Sequence, residues 1–210
     1  MNYFQRYEKK FFIDFSQELK IKKQFKNIFD LEFDPGYYCY SLYFDDLNFS
    51  NLKQKQEGNT KRHKIRLRTY FSNFNDKINS WNLEIKCKDN STVRKRKISF
   101  THQEVLDNLK KKNYSFFSNN FAETSKTYYE PVYTTLYFRE AFISKIVPHC
   151  RITFDKSIRC FKYNYDILGQ LNIDQNYILD PRLTLLELKY STLPNFIFFW
   201  LVKSAIILLP

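Results

Sequence analysis

Cations and carboxylates recur at every second position through six short apolar stretches of this chain. They are Lys64-Ile65-Arg66-Leu67-Arg68, Glu84-Ile85-Lys86, Arg94-Lys95-Arg96, Tyr137-Phe138-Arg139, Arg151-Ile152-Thr153-Phe154-Asp155 and Glu187-Leu188-Lys189. A strand sends alternate side chains to opposite faces, so each stretch reads as a ribbon with one apolar and one charged side. One such ribbon is what any antiparallel sheet with a solvated face produces. Six of them, mostly carrying Arg or Lys, predict a sheet curled so that its charged faces line a cavity for a polyanion.

The net charge supports a phosphate-bearing partner: 34 Lys and Arg against 22 Asp and Glu give +12. With 43% hydrophobic and 19% aromatic residues among 210, the cations sit on a folded scaffold, read as a single unit spanning residues 1–210. The four cysteines, Cys39, Cys87, Cys150 and Cys160, are scattered without metal-ligand spacing and predict reduced, structural thiols. His63, His102 and His149 share no spacing and read as structural or surface residues. The N-terminal residues contain no apolar signal region, which predicts a cytoplasmic protein.

Along the chain, an opening strand is expected from about Phe4 to Ile13. A helix follows, capped by Ser16 and running to about Phe29 on Leu19, Phe25, Ile28 and Phe29. Asp34-Pro35-Gly36 marks a turn before a strand at Tyr37 to Asp45, and a polar stretch with a helical turn lies between Leu47 and Thr60. An antiparallel meander is expected at Lys64–Phe71, Trp81–Lys88 and Thr92–Phe100, then a Thr101-capped helix to about Lys112 with Val105, Leu106 and Leu109 inward. Further strands are expected near Tyr133–Ile143, His149–Asp155, Ile158–Tyr163 and Leu183–Tyr190. Pro194 opens a terminal helix whose apolar run, Phe196 to Leu209, is too short for a membrane span and is broken by Lys203 and Ser204.

The chemistry must come from side chains. The only glycines are Gly36, Gly58 and Gly169, so no Gly-rich phosphate loop exists. Arginine suits the task because its planar fork pairs with phosphate oxygens and keeps its charge. Glu8, Glu84 and Glu187 each precede a lysine by two residues on the same face, namely Lys10, Lys86 and Lys189. Such carboxylates either neutralise their neighbours or hold Mg²⁺ or Mn²⁺, hard ions that bind one or two carboxylates plus substrate phosphates.

In order along the chain, the motifs resemble those of the VTC domain, the polyphosphate-polymerase module of the vacuolar transporter chaperone family, within the CYTH-like triphosphate tunnel metalloenzymes. Arg6-Tyr7-Glu8-Lys9-Lys10-Phe11 is similar to the first-strand Glu-x-Glu-x-Lys signature, with Arg6 in place of the first Glu. Ser41-Leu42-Tyr43-Phe44-Asp45, Ile65-Arg66-Leu67-Arg68, Leu83-Glu84-Ile85-Lys86 with Arg94 and Arg96, Tyr137-Phe138-Arg139-Glu140-Ala141-Phe142, Arg151-Ile152-Thr153-Phe154-Asp155 and Leu186-Glu187-Leu188-Lys189 resemble the remainder.

The resemblance implies an α+β fold, an eight-stranded antiparallel β tunnel or barrel with helices packed outside. It implies phosphate contacts for Lys10, Arg66, Arg68, Lys86, Arg139 and Arg151, further substrate contacts for Arg6, Arg94, Arg96, Tyr137 and Lys189, and a divalent metal, Mn²⁺ or Mg²⁺, at Glu187 with Glu8 and Glu84. The implied activity is transfer of the γ-phosphate of ATP to inorganic polyphosphate, with a membrane protein as a further partner. Alternatives are hydrolysis of triphosphate or polyphosphate in the same tunnel, or noncatalytic polyphosphate binding. Nucleic acid is not expected, because Phe44, Phe138 and Phe154 fall opposite the charged positions and would leave bases little to stack on. The family's terminal Ser-Lys-Tyr or Ser-Lys-Phe element has no counterpart, since the sequence ends Ile-Ile-Leu-Leu-Pro210, which predicts a truncated or open-ended tunnel.

Overall fold

The computed structural model describes residues 7–90, 92–120, 128–163, 177–191 and 207–208. Among these are ten strands and four helices, and every strand pairing whose direction is resolved is antiparallel. The chain divides into two compact units: Met1–Tyr38, Tyr137–Arg159 and Tyr177–Pro210 in the first, Cys39–Leu136 and Cys160–Asn176 in the second.

In the first unit the strand order is β10 (Ile207–Leu208), β1 (Tyr7–Asp14), β9 (Leu183–Tyr190), β8 (Arg151–Lys162) and β7 (Glu130–Ser144), with β2 (Phe29–Leu31) also on β7. Phe11, Ile13, Ile152, Phe154, Leu186 and Leu188 alternate onto one face and are nearly solvent-free. Helix α1 (Phe15–Phe25) adds Ile21 and Phe25 to this core. The helix cap is Asp14, not Ser16: its carboxylate accepts from the Gln17 amide while the Gln17 side chain accepts from the Asp14 amide, a reciprocal capping box. The helix also ends at Phe25, four residues early, because Phe29 is recruited into β2; Leu19, expected in the core, points to solvent. Gly36 has a φ of 134°, and a Cβ there would lie 2.6 Å from the Arg139 carbonyl oxygen, so the turn before β3 (Tyr37–Asp45) passes against β7 only as glycine.

Helix α1 is tied to the sheet by ions. Glu18 is 2% exposed and accepts from Lys22 at 2.6 Å, from Lys156 at 2.6 Å and from the Thr184 hydroxyl at 2.9 Å. Glu140 accepts from the same two lysines. Burial alone pushes the Glu18 carboxyl up, but the two ammonium groups outweigh it and hold it below the usual range.

The second unit has the order β7, β3, β4 (Lys61–Phe71), β5 (Ser80–Asp89) and β6 (Thr92–Thr101). Helix α2 (Ser50–Gln56) lies in the polar stretch, where Asp45 accepts from the Asn51 and Leu52 amides. Ile65, Leu67, Trp81 and Leu83 are buried, as are Val105 and Leu109 of α3 (His102–Lys110) and Phe117 of α4 (Ser115–Ser118). Thr101 caps α3 as expected, paired with Glu104, and His102 accepts the Trp81 indole N–H at 2.9 Å.

Two further expectations change. The two strands expected at His149–Asp155 and Ile158–Tyr163 are one strand, β8, kinked at Ser157, whose φ is 51°. Where a terminal helix was expected, Ile207 and Leu208 pair with Phe12 and Phe11 of β1; the rest of that helix, and Arg6, lie outside the described residues. Taken singly, each unit is an open antiparallel sheet among the described residues. All four cysteines are free thiols, and among the described residues no helix is long and apolar enough to cross a membrane.

Candidate phosphate-binding faces

Side chains directly opposite in an antiparallel pair share a face, so the register builds each polar face rung by rung. In the first unit the rungs across β1, β9 and β8 are Glu8–Lys189–Arg151, Lys10–Glu187–Thr153 and Phe12–Leu185–Asp155. The opposite face is the Phe11–Leu186–Phe154 core, so the period-two pattern alone fixes the polar side.

The first two rungs interlock. Lys189 donates to Glu187 at 2.5 Å, and Lys10 lies 3.6 Å from Glu187 and 3.2 Å from Glu8. Burial would raise the Glu187 carboxyl, but a hydrogen bond with Glu8 and the ammonium groups of Lys189 and Lys10 keep it well below the usual range. Lys10 is itself raised: burial works against its charge, and Glu187 and Glu8 overcome that. Lys189 moves the other way, since burial, together with Arg139, outweighs its carboxylate partners.

The arginines of this unit are clamped. Arg139 donates through Nε and Nη2 to Asp155, both at 2.6 Å, and its guanidinium sits 5.1 Å from the Tyr137 ring centre. Arg151 donates through Nη2 to Glu32 at 2.5 Å and to the Tyr37 hydroxyl at 3.1 Å. Sequence placed Asp155 on the charged face without giving it a task and passed over Glu32 altogether; neither β7–β8 adjacency nor the fold of the turn before β3 can be read from local spacing.

In the second unit the rungs across β4, β5 and β6 are Lys64–Lys86–Lys95, Arg66–Glu84–Lys97 and Arg68–Asn82–Ser99. Arg94 and Arg96, expected among the substrate contacts, oppose Cys87 and Ile85 and share the other face with Ile98 and Phe100; Arg96 donates to the Asn120 carbonyl. Their places on the charged face are taken by Lys95 and Lys97. The signal was present, because Ile98 and Phe100 have the same parity as Arg94 and Arg96, and an apolar pair fixes the inward side of β6.

Arg66 is held as Arg139 is: Nε and Nη2 donate to Glu84 at 2.8 and 2.5 Å, while Nη1 donates to the Tyr43 hydroxyl at 3.2 Å. Arg68 donates to Ser41 Oγ at 2.9 Å. The Lys64 ammonium lies 4.8 Å from the Tyr43 ring centre, and Tyr133 stacks on that ring at 4.8 Å. Burial pushes the Tyr43 phenol up, but Lys64, Arg66 and Arg68 overcome it and bring its pKa down to about 7. Burial likewise raises Glu84, and Arg66, Arg68 and Lys97 together bring it below the usual range.

As a donor set for a hard divalent ion, Glu8 and Glu187 fit: they are two carboxylates on neighbouring strands that share Lys10 and Lys189 as partners. Glu84 belongs to the other unit and is committed to Arg66. Among the described residues no group of three acidic, His or Cys side chains gathers at one point.

The described residues form an antiparallel β protein with cation-lined polar faces and apolar faces against which helices pack. The family model of the VTC domain matches residues 5–207, and the chain belongs to that family. No curated protein matches the chain at a significant level. Among solved structures it is similar to a candidate adenylate cyclase from Bacillus halodurans, at 12% identity and a TM-score of 0.54 over 97% of this chain and 91% of that one. A candidate adenylate cyclase from Vibrio parahaemolyticus is similar at 14% identity and a TM-score of 0.50, over 95% and 86% of the two chains.

Proposed function

We propose that this protein is a phosphotransferase of the polyphosphate-polymerase type, moving the γ-phosphoryl group of ATP onto the terminal oxygen of an inorganic polyphosphate chain, with ADP leaving. The observation that carries the proposal is the rung Lys64–Lys86–Lys95. Like charges placed directly opposite destabilise a sheet, so three lysines in register are a cost that a bound anion offsets. Arg66 and Lys97 on the next rung extend the surface by one strand repeat, about 7 Å, comparable to the spacing of alternate phosphates in an extended phosphoanhydride chain.

In this proposal Lys10, Lys189, Arg139 and Arg151 bind phosphate on the first unit, and Lys64, Arg66, Arg68, Lys86, Lys95 and Lys97 on the second. Asp155, Glu32 and Glu84 hold three of the arginines in fixed orientations, so little rearrangement is needed as charge shifts in the transition state. Glu8 and Glu187 would hold Mn²⁺ or Mg²⁺, which supplies Lewis-acid polarisation and charge neutralisation for phosphoryl transfer. Family membership supports a tunnel formed by a closed sheet as the setting.

The test is incubation of the purified protein with ATP and Mn²⁺, following ADP, phosphate and polymer separately. Polymer with stoichiometric ADP is expected. Free phosphate without polymer would replace synthesis by hydrolysis, and tight tripolyphosphate binding without turnover would reduce the protein to a binding module.

A further inference from the structure

Thr153 occupies the third place of the rung Lys10–Glu187–Thr153. It is 1% exposed, and its Oγ1 is buried without a hydrogen-bond partner. Buried hydroxyls are normally bonded, because leaving one unpaired sacrifices the hydrogen bonds it had in water. Glu187, opposite it across the ladder, accepts from Lys189 and lies 3.6 Å from Lys10, and does not accept from the hydroxyl. Asp155, two residues along the same strand face, is gripped by the Arg139 fork. Two residues in the other direction, Arg151 Nε is also buried without a partner, although Nη2 of that side chain bonds Glu32 and Tyr37. One strand thus carries two orphaned donors at adjacent places on the face that also presents Lys10 and Lys189.

We propose that Thr153 is a substrate-binding residue whose Oγ1 donates a hydrogen bond to a non-bridging oxygen of a phosphoanhydride chain, beside the Nε of Arg151. The inference rests on the phosphate-binding role of this face and adds to it a neutral donor. A hydroxyl suits the position because an ammonium there would compete with the ligand for Glu187, whereas an uncharged donor is satisfied only when an acceptor arrives. The site stores an unpaired polar group in the free protein and discharges it on binding.

That arrangement makes stability and affinity move in opposite directions when the hydroxyl is removed. Thr153→Val keeps the shape and deletes the donor, and Thr153→Ser keeps the donor. Calorimetric titration with inorganic tripolyphosphate and, separately, ATP at fixed ionic strength, with thermal melts of the free proteins, reads both. We expect Thr153→Val to melt at or above the wild-type temperature and to bind both probes about tenfold more weakly, as for loss of a hydrogen bond to a charged group. Thr153→Ser should bind within about twofold of wild type. Wild-type affinity in Thr153→Val overturns the inference alone, as does equal weakening in Thr153→Ser, or a lower melting temperature in Thr153→Val, which would mean that the hydroxyl is partnered in the free protein. A wild-type protein that binds neither probe overturns this inference and the proposed function together.

Discussion

Lys10 and Glu187 face one another across the β1–β9 ladder, with the ammonium 3.6 Å from the carboxylate that Lys189 grips from the next rung. Under the proposed function this carboxylate holds the divalent ion, a role separate from phosphate affinity. Glu187→Gln should abolish ATP-dependent turnover, by at least about a hundredfold, while tripolyphosphate affinity without metal holds or rises. Paired kinetics and calorimetry check this; a variant that turns over normally removes Glu187 from the reaction.

The register of β6 makes a prediction opposite to that of the sequence motif. Lys95 and Lys97 share the face of Lys86 and Glu84, whereas Arg94 and Arg96 do not. A Lys95→Ala/Lys97→Ala double variant should weaken tripolyphosphate binding about tenfold or more and flatten its salt dependence, and Arg94→Ala/Arg96→Ala should stay within about threefold. Titrations at two ionic strengths distinguish the pairs.

Tyr43 gives the second unit a titration in the neutral range. Its phenol ionises near pH 7 in the folded protein, below the usual value for a tyrosine of about 10, because Lys64, Arg66 and Arg68 favour the phenolate. Below pH 7 the group is neutral in both states and contributes nothing; between about 7 and 10 only the folded form is ionised, so its contribution to stability rises with pH and is complete above 10. The same phenolate cancels one positive charge, so tripolyphosphate affinity should fall as pH rises through 7. Phenolate absorbance titration of wild type and Tyr43→Phe checks the assignment; loss of the neutral-range transition and of the affinity slope in Tyr43→Phe is expected.

Glu18 predicts a stability effect remote from phosphate. Its buried carboxylate holds Lys22, Lys156 and Thr184, so Glu18→Ala leaves a buried hydroxyl and two ammonium groups sharing Glu140 alone. A loss of about 3 kcal/mol is expected from denaturant unfolding. The Glu18 carboxyl is held below its unfolded value, so its contribution is full above that value and is lost as pH falls through the folded one. Acid unfolding should therefore be steeper in wild type than in the variant.

Much of this was legible in the chain. Strand β9 at Leu183–Tyr190 and β3 at Tyr37–Asp45 stand where they were expected, and Glu187 and Lys189 share a face because alternation is a local property of extended backbone. Thr101 was readable as a cap for the same reason: a capping box spans four residues. The Asp14 box was equally local, and Ser16 merely offered a competing oxygen two positions on.

Sequence alone therefore determined most of the long strands, which parity is apolar, and that the polar parity is cationic, since each depends only on neighbours along the chain. Tertiary structure decided the rungs. In β6 the apolar pair Ile98 and Phe100 already marks the parity that Arg94 and Arg96 share, and the pairing with β5 then sets Lys95 opposite Lys86 and Lys97 opposite Glu84. The clamping of Arg139 by Asp155 and of Arg151 by Glu32 is likewise a product of long-range contact, where orientation comes from partners that the sequence keeps 16 and 119 positions away, and the place of Thr153 opposite Glu187 is set by the same ladder pairing.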